Sequence, residues 1–556
     1  TETALDQRDW AAHPAILSGD IGAPGDSTDN SYGILYAAQT NISTRVDGLI
    51  FEYGNAGNPD NVNVFSHERT HSGSAIYLDG QGAGHFAFLT ISNCTFRYNR
   101  SDHFGAVYAN GRDNGQSAVL VDHCLFEKNY AYSKGAALVV ENYSPQTAAL
   151  WILQSTFREN FAYVGGGALY IEHHQQQTLF DCTFDKNVIY GGQGGAVSVS
   201  LSAPEVRLNF DDCRFTGNKG LTNIIGGAVD VTVLQFRAFV QFHDCFFSGQ
   251  IAHSGGCISA TNQAISHLIF TQCRFVGNFA TNGSLLGTID VNGKLDAQLD
   301  NCLIYRNEYP EFTLASFQLD TVRINNTLWI QGNTVTGPAS YSTLLLNHCL
   351  VNAPDCATLG PNAFCGAGMM FSADPLFTNI AGGNFHLKPC SPAINAGDNA
   401  AALAAGLGLD PDDQPRILDG TVDIGPYEHN LFFASTTIHH ESCAGAQDGG
   451  IDFQGYFCPP LSVSWKKDGE IGFRTDSLAS GVYVFTLNDG NGHVSTDTLH
   501  IPQLPPIVIV PDVVDVSCFG FSDGIASMQA WGGSPPPGET AATRAPCLTC
   551  RPARTR

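Results

Sequence analysis

Apolar and polar residues alternate in short runs through most of the chain, and one such run returns at a nearly constant interval. It begins with a cysteine, has a phenylalanine two positions later and an asparagine three positions after that, as in Cys94, Phe96 and Asn99. Successive copies are 27 to 32 residues apart. A period of this length indicates stacked units of supersecondary structure.

Eight copies of the run follow one another between residues 94 and 307. The first position is filled by Cys94, Cys124, Ser155, Cys182, Cys213, Cys245, Cys273 and Cys302. The second is filled by Phe96, Phe126, Phe157, Phe184, Phe215, Phe247, Phe275 and Ile304. The third is filled by Asn99, Asn129, Asn160, Asn187, Asn218, Gln250, Asn278 and Asn307. A Gly-Gly-Ala group, such as residues 166–168, closes several copies.

The unit consists of strands rather than helices. Residues 196–200, 206–210 and 213–215 each alternate apolar and polar side chains over a few positions, and Gly, Pro, Asp or Asn bounds them. Three short strands per unit, joined by turns, make one coil of a parallel β-helix. The sequence therefore predicts an all-β protein, a right-handed parallel β-helix followed by small Ig-like β-sandwich repeats.

Residues two apart on a strand point to the same face, so the cysteines and phenylalanines should stack in inward columns. We expect the cysteines to be free thiols, because parallel side chains in a stack do not offer the torsion that a disulfide needs. Asparagine at the corner can adopt left-handed backbone angles and bond its neighbours along the stack. The glycines allow a bend and a close approach where the next strand begins.

Seventeen cysteines are present, and those outside the column are the candidates for disulfides. The spacing suggests Cys356 with Cys365 or Cys390, and Cys443 with Cys458. The connectivity cannot be deduced from the sequence.

Composition limits the partners and the compartment. The 556 residues include 27 Lys plus Arg against 52 Asp plus Glu, a net charge of -25. This balance argues against nucleic acid or an anionic membrane as a partner. We find neither an apolar run long enough for a membrane span nor a signal segment at Thr1, and we expect no direct membrane insertion. An acidic, glycine-rich chain is typical of secreted proteins, located extracellularly or at the outer cell surface.

The pattern divides the chain into successive regions. Cys443 and Cys518 begin two similar stretches, of which the second is incomplete, and the end of the chain is rich in Pro, Ala, Thr and Arg. The predicted regions are irregular first coils over 1–90, the β-helix core over 91–372, a cap over 373–430, a β-sandwich repeat over 431–505, an incomplete repeat over 506–535 and a degenerate tail over 536–556.

Three motifs resemble known families. The pair Phe-x-x-Asn and Gly-Gly-Ala-(Leu/Val), as at 157–160 and 166–169, resembles the repeats of polymorphic outer membrane proteins, which are β-helical surface adhesins. Residues 391–397 and 423–428 resemble the terminal module of secreted right-handed β-helix proteins of Bacteroidetes-type bacteria. The Cys-x-Gly-x-x-Asp-Gly stretches at 443–449 and 518–524 resemble SprB repeats of large adhesins tied to gliding motility, although Asn491-Gly492-His493 departs from the family's Asn-Gly-Cys.

Candidate chemistry is sparse. Asp181, Asp212 and Asp244 precede column cysteines, and Asp122 and Asp300 stand one position further back. This acidic row could attract Ca²⁺, but aspartate also suits the tight turn that must lie there. The cap holds a second acidic group, formed by Asp410, Asp412, Asp413, Asp419 and Asp423. The sequence predicts no catalytic residue, no metal ligand and no cofactor, with Ca²⁺ as the one ion left open.

Two pairs of histidines and one Cys-x-x-Cys group are candidate metal ligands by residue type, but their positions argue against a site. Neighbouring residues on a strand point to opposite faces, so neither His173-His174 nor His439-His440 can chelate from one face. Cys547 and Cys550 lack a second pair.

The strong signals in the chain are all repeated, whereas an active site needs one unrepeated group of acid, base and positioning residues. We therefore expect a secreted adhesin or a structural component of an extracellular assembly. Its partners would be an extracellular glycan or protein surface, or other components of that assembly. The alternative is a polysaccharide-active enzyme, a lyase or a glycosidase, on the same scaffold.

Overall fold

A computed structural model describes residue 9 and residues 12–531 of the chain, with gaps. The gaps are 58–66, 144–148, 173–175, 203–205, 223, 234–237, 263–265, 281–283, 291–294, 308–312, 317–320, 331–342, 419, 430–434, 442–444, 455–457, 459–461, 489–493, 504–507, 516, 519–521 and 523. The described chain forms two compact units, 1–375 with 392–428, and 376–391 with the part from 429 onwards.

The first unit is a parallel β-helix whose coils contribute strands to four sheets, here called A to D. Sheet A contains Ala15–Ser18, Leu49–Glu52, Thr95–Arg97, Leu125–Glu127, Thr156–Arg158, Thr183–Asp185, Arg214–Thr216, Phe246–Ser248, Arg274–Val276, Leu303–Tyr305, Leu328–Ile330, Leu350–Val351 and Met370–Phe371. Sheet B contains Leu35–Ala38, Ile76–Asp79, Val107–Gly111, Leu138–Asn142, Leu169–Glu172, Val197–Leu201, Val229–Val233, Ile258–Asn262, Ser284–Asp290 and Thr313–Ser316.

Sheets C and D complete the coil. Sheet C contains Arg45–Asp47, Phe86–Ser92, Gln116–Asp122, Ala149–Leu153, Gln176–Phe180, Val206–Asp211, Ala238–His243, Ser266–Thr271, Leu295–Asp300, Thr321–Asn325, Thr343–Asn347 and Ala363–Cys365. Sheet D contains Asn55–Ala56, Arg100–Ser101, Tyr130–Ala131, Phe161–Ala162, Val188–Ile189, Lys219–Gly220, Ile251–Ala252 and Phe279–Ala280. Sheets A, B and C correspond to the three strands per coil that the sequence predicts. Sheet D was not anticipated, because two residues are too few to show an alternating pattern.

The interior is built from same-register columns. The Phe96 ring stacks on the rings of Phe51 and Phe126 at centroid distances of 5.0 and 4.7 Å, and the series continues to Phe275. All of these rings are fully buried. Because each coil repeats the register of the one before, each phenylalanine fills the space between two others, as the repeat predicts.

The cysteines form a second inward column, and none of them is bonded to another. Cys94, Cys124, Cys182, Cys213, Cys245, Cys273, Cys302 and Cys349 are buried free thiols. Each thiol donates to the carbonyl oxygen two residues earlier, as Cys94 does to Ser92 at 3.1 Å. Ser155 makes the same bond, to Leu153 at 2.7 Å, which explains why serine can replace cysteine there.

The asparagines stack at one corner, between sheets A and D. Asn129 donates through Nδ2 to Oδ1 of Asn160 at 3.0 Å and to the carbonyl of Phe96 at 2.9 Å. The same bonds recur from Asn99 to Asn218 and again from Asn278 to Asn307. At Gln250 the row changes, because its Nε2 donates to the carbonyl of Ser248 instead.

One detail of the corner differs from the expectation. The left-handed backbone belongs to the residue before each asparagine, such as Lys128 at φ 53° or Glu159 at φ 54°. The asparagine is instead held by bonds along the stack. A second left-handed position precedes the cysteine column and includes Asp181, Asp212 and Asp244, at φ 49°, 50° and 48°. Short polar side chains suit this conformation, so the turn role of these aspartates is accounted for.

Glycines permit the close packing at the start of sheet B. Gly166 has φ 59°, and a Cβ on Gly167 would lie 2.2 Å from the carbonyl oxygen of Gly195 in the next coil. A larger residue at Gly167 would therefore have to move the backbone of the next coil.

The segment 392–428 packs beside the last coils. The backbone N–H of Asp398 donates to Oδ1 of Asn326 at 2.7 Å, and Nε2 of Gln272 donates to a carbonyl of the segment at 2.7 Å. Asp398 is the N-cap of the helix Asn399–Ala404. Nη2 of the buried Arg416 lies 3.1 Å from Oε1 of Glu428. These contacts lie on the flank of the coils, at the turn before the cysteine column. Capping of the open end stays a prediction.

The second unit contains antiparallel sheets. Phe377–Asn379 pairs with Asn384–Leu387, and Ser435–His439 with Gly450–Gln454. A four-stranded sheet follows in the order Glu470–Gly472, Ser462–Lys467, Gly481–Asn488, Val494–Ile501. Val508–Val514 pairs with Ile525–Trp531. Two 3-10 turns, Ala357–Leu359 in the first unit and Ile380–Gly382 in the second, complete the elements. These small sheets are consistent with Ig-like parts.

Two disulfides are present among the described residues. Cys356 pairs with Cys365, one of the two partners that the spacing allowed. Cys390 pairs with Cys458 within the second unit. The expected bridge between Cys443 and Cys458 is therefore wrong, because Cys458 is already bonded to a residue 68 positions earlier. Cys443 itself lies outside the described residues.

Candidate functional site

The outer face of sheet B carries one polar cluster that the repeat does not predict. Val107 and Ala109 point inward on their strand, so Tyr108 and Asn110 point outward. On the next two strands Glu141 and Glu172 follow Asn110 in register. We call His67, Tyr108, Arg112, Lys134, Glu141, Tyr143, Tyr170 and Glu172 the glutamate–tyrosine cluster.

Glu141 forms the buried floor of the cluster, with 1% of its surface exposed. Its Oε2 accepts a hydrogen bond from the hydroxyl of Tyr108 at 2.6 Å and lies 3.7 Å from Nη1 of Arg112. Its Oε1 lies 3.9 Å from Nε2 of His67. His67 and Arg112 also contact each other. The carboxyl group is thus enclosed by one phenol, one guanidinium and one imidazole.

Glu172 lies on the neighbouring coil, among different partners. Its Oε1 accepts from the hydroxyl of Tyr143 at 2.9 Å, and its Oε2 accepts from Tyr170 at 2.8 Å. Nζ of Lys134 donates to the same Tyr170 hydroxyl at 2.7 Å and stands 4.0 Å from the centre of its ring. Acceptance through both oxygens is the bonding pattern of a carboxylate.

Burial perturbs the ionisation of the cluster. It raises the pKa of Glu141 to about 7, and the neighbouring charge of Glu172 acts in the same direction. It also lowers the pKa of Lys134, and, together with the charge of Arg112, it lowers the pKa of His67 to about 4. A site whose carboxyl is half protonated near neutrality is suited to donating as well as accepting a hydrogen bond.

The rim of the cluster is open to solvent. The side chains of His67 and Arg112 are 31% and 32% exposed, and Lys134, Tyr143 and Glu172 are half-buried. The cluster therefore combines a buried acid with donors and acceptors that a ligand can reach.

A smaller polar group lies further along sheet B. Asp230 is fully buried and accepts from the hydroxyl of Ser259, and Thr232 donates to it at 3.3 Å. Burial raises the pKa of Asp230 to about 7. Its partners are residues of the sheet itself, so we assign it to the packing of the coils.

The aspartates singled out in the sequence are engaged locally. Asp244 pairs with Nη2 of Arg274 at 2.5 Å, and burial raises its pKa to about 7. In the flanking segment, Asp410 accepts from the backbone N–H groups of Gln414 and Glu428, both at 2.8 Å. Among the described residues no group of three or more His, Cys, Asp or Glu could hold a metal ion.

Some of the other candidates from the sequence have partners close by, and some lie outside the described residues. His439 is exposed and pairs with Asp452 at 2.8 Å. His173, His174, Asp419, Cys547 and Cys550 lie outside the described residues. The basic residues of the repeat pair locally: Arg158 pairs with Glu127 of the preceding coil at 2.5 Å, and Lys128 pairs with Glu159 of the following coil at 3.7 Å.

Sequence reasoning missed the glutamate–tyrosine cluster because its members come from different coils and occupy ordinary strand positions. One signal was visible. Tyr36, Tyr77, Tyr108 and Tyr170 fill the same position in four coils, and Glu141 and Glu172 fill the position two residues later in two. Serine, threonine or valine occupies these positions in most other coils.

Comparison with known proteins bears on the fold. A family described as a right handed beta helix region matches residues 54–238, which include the whole cluster. A search of curated proteins found no match. Together with the parallel stacking of the strands, the family match identifies a right-handed parallel β-helix. That fold is common to surface proteins and to polysaccharide-active enzymes. Within the described residues, no helix has the length and apolar character to cross a membrane.

Proposed function

We propose that the protein is a secreted surface protein that binds an extracellular glycan at the glutamate–tyrosine cluster, as an adhesin or as a component of an extracellular assembly. The observation that carries the proposal is that this cluster brings two glutamates and two cations together on the outer face of sheet B, with one glutamate buried. Stacking of the coils does not require charged residues at these positions, so a group of two glutamates and two cations on neighbouring coils indicates another role.

The chemistry of the rim favours a ligand rich in hydroxyl groups. Glu172 offers acceptors, Arg112 and Lys134 offer donors, and the hydroxyl of Tyr143 can do both. Two cations stand against two glutamates, so the local charge is nearly balanced although the whole chain carries -25. A neutral sugar with many hydroxyls suits such a surface better than a polyanion does.

A row of stacked tyrosines forms a second aromatic surface, which is less suitable for binding a glycan. Tyr132, Tyr163 and Tyr190 stack on one another along the rod, with centroid distances of 4.8 and 4.4 Å and interplanar angles of 12° and 11°. Their faces are therefore covered by each other, and mainly edges remain. A sugar that packs against an aromatic ring needs the face.

The test is binding of the full chain to an array of neutral and acidic glycans. We expect a neutral glycan to bind, and Glu172→Gln and Tyr143→Phe each to weaken that binding at least about tenfold, since each removes a hydrogen bond to a charged or polar partner. Glu127→Gln, in the exposed pair with Arg158 on sheet A, is the matched control and should bind as the wild type. Equal binding by all four proteins would contradict the proposal.

A polysaccharide-active enzyme is the second candidate. The specific observation in its favour is that two glutamates stand side by side in different surroundings, one enclosed and one held by two phenols. Fold alone does not choose between a binding protein and an enzyme.

A further inference from the structure

We propose that the outer face of sheet C is a docking surface for a basic, amphipathic protein segment. The surface is centred on four apolar residues of three neighbouring coils, Leu120, Trp151, Leu153 and Phe180, here called the apolar stripe. The proposal goes beyond the proposed function, because it concerns a protein partner and a different sheet from the glutamate–tyrosine cluster.

The register of sheet C brings the four side chains together. Ile152 is fully buried inside its coil, so its neighbours Trp151 and Leu153 point outward. Leu120 is the register partner of Trp151 on the coil before. Phe180 is the register partner of Leu153 on the coil after. Neighbouring strands lie about 4.8 Å apart, so the stripe extends about 10 Å along the rod.

The stripe is open to solvent although its members are apolar. Trp151 has 50% of its surface exposed and Phe180 has 41%, and Leu120 and Leu153 are half-buried. Single exposed apolar residues are ordinary on a protein surface. An adjoining group of them with a polar rim marks an interaction site.

The row of sheet C that contains Leu153 and Phe180 is polar on the neighbouring coils. It is occupied by Ser92 and Asp122 on the coils before, and by Asp211, His243 and Thr271 on the coils after. Polar side chains therefore suit this position of the stack. Packing of the coils does not explain why Leu153 and Phe180 are apolar and exposed, whereas contact with a partner does.

Acidic residues border the stripe at both ends of this row. Asp122 is the register partner of Leu153, and Asp211 is the register partner of Phe180. The two aspartates are three strand spacings apart, which is about 14 Å. Asp122 pairs with His123 at 2.7 Å, and its side chain is still 30% exposed.

The adjoining turn adds further negative charge. Asp181 and Asp212 precede the column cysteines of their coils, and both are exposed. Burial raises the pKa of Asp212, and the charge of Asp181 acts in the same direction, while Arg274 opposes the shift. Arg274 is itself paired with Asp244. The stripe therefore lies beside a group of aspartates and not beside a balanced set of charges.

These features define the chemistry of the partner. Apolar side chains match the stripe, and Lys or Arg on either side of them match the aspartates at its ends. A helix covers about 14 Å in about nine residues. An amphipathic segment of about three turns, with basic residues on both sides of an apolar face, therefore fits the surface.

The test uses a synthetic helical peptide of about 18 residues, with Leu and Trp on one face and Lys at both edges of that face. One control peptide has every Lys replaced by Glu, and another has the same composition in scrambled order. Binding of each labelled peptide to the full chain is measured by fluorescence anisotropy. The Lys peptide should bind more tightly than both controls.

Variants locate the site, since a chain with a net charge of -25 attracts any basic peptide. Trp151→Ala and Phe180→Ala should each weaken binding of the Lys peptide at least about tenfold, as expected of aromatic anchors. Asp211→Asn should weaken it less and reduce its dependence on salt. Phe86→Ala is the matched control, because Phe86 is 36% exposed on the same face of sheet C and lies outside the stripe.

Two further measurements accompany the titrations. The urea midpoints of Trp151→Ala and Phe180→Ala should remain close to that of the wild type, which shows that weaker binding is not a loss of folding. Hydroxyl-radical footprinting of the wild type should show less oxidation of Trp151 and Phe180 when the Lys peptide is bound, and no change at Phe86.

Several results would overturn the proposal. Absence of binding by the Lys peptide, or equal binding by the Lys peptide and either control peptide, would show that the partner is not a basic amphipathic segment. Unchanged binding by Trp151→Ala and Phe180→Ala would place the peptide elsewhere on the chain. Loss of glycan binding in Trp151→Ala would make the stripe a sugar platform instead of a protein docking surface.

Discussion

Asn129 donates twice to Asn160, with its backbone nitrogen 3.1 Å and its Nδ2 3.0 Å from the same Oδ1 oxygen. One side-chain oxygen thus satisfies a backbone and a side-chain donor of the neighbouring coil. Since both asparagines are buried, each coil depends on the next for these bonds.

The interruption at Gln250 gives the first prediction. Asn218 donates its backbone N–H to Oε1 of Gln250 at 3.1 Å, but the recurring side-chain bond along the row is missing there. We expect Gln250→Asn to complete the row and to stabilise the protein by about 1 kcal/mol. The midpoint of urea unfolding measures this, with Gln241→Asn on the outer face of sheet C as control. A lower midpoint for Gln250→Asn would show that the longer side chain is required at this coil.

The second prediction concerns the phenylalanine column. Phe184 is fully buried between Phe157 and Phe215, at centroid distances of 4.8 and 5.0 Å. Phe184→Ala should lower the free energy of unfolding by about 3–5 kcal/mol, because it leaves a cavity that two rigid neighbours cannot fill. Phe180→Ala is the control, since Phe180 is 41% exposed. A loss below about 1 kcal/mol for Phe184→Ala would contradict the packing described.

The third prediction concerns the thiols. Burial raises the pKa of the Cys245 and Cys302 thiols, and every member of the column donates to a carbonyl of its own coil. Peptide mapping after treatment with a thiol reagent should find the column cysteines unlabelled in the native protein and labelled after denaturation. Cys518, which is exposed, should react in both states. Labelling of Cys302 in the native state would place the column at the surface.

The fourth prediction is a dependence of stability on pH through Glu141. Its pKa rises from 4.5 to about 7 on folding, so the native state holds its proton more tightly than the unfolded chain does. This contribution to stability is complete below about pH 4.5 and is lost progressively as the pH rises to about 7. Glu141→Gln keeps a neutral partner for Tyr108 and removes the effect.

The measurement is the difference between the two proteins across pH. The stability of Glu141→Gln relative to the wild type should grow by about 3 kcal/mol between pH 4.5 and 7 and then remain level. Taking the difference between the two proteins cancels the contributions of Asp230 and Asp244 to the pH dependence, since the pKa values of both are also raised. A difference that is constant over this range would show that folding does not raise the pKa of Glu141.

The columns could be predicted from the sequence because they are local and repeated. Cys94, Phe96 and Asn99 stand in one short run, and the period of the repeat places each copy above the last. The left-handed residue next to the asparagine could not be assigned, since both Lys128 and Asn129 can occupy a corner and only the bonding of the amide decides between them.

The glutamate–tyrosine cluster, by contrast, could not be predicted from the sequence. Tyr108, Lys134 and Glu172 are separated by whole coils, and nothing in their spacing distinguishes them from other outward residues. Their proximity depends on the register between coils, which becomes known only when the fold is known. The bridge between Cys390 and Cys458 escaped prediction for a similar reason, because it joins residues that the repeat does not relate.

Variation in coil length is unevenly distributed around the rod. Among the described strands, two residues separate sheet C from sheet A in all but the first and last coils, as between Ser92 and Thr95, and two separate sheet A from sheet D wherever sheet D is present. The connections that enter and leave sheet B vary, from three residues between Glu172 and Gln176 to nineteen between Ala56 and Ile76. Insertions and deletions can therefore accumulate around sheet B without disturbing the stack. The scaffold thus separates a constant stack from a rim of variable length, and a change in loop length alone would alter the surface beside sheet B.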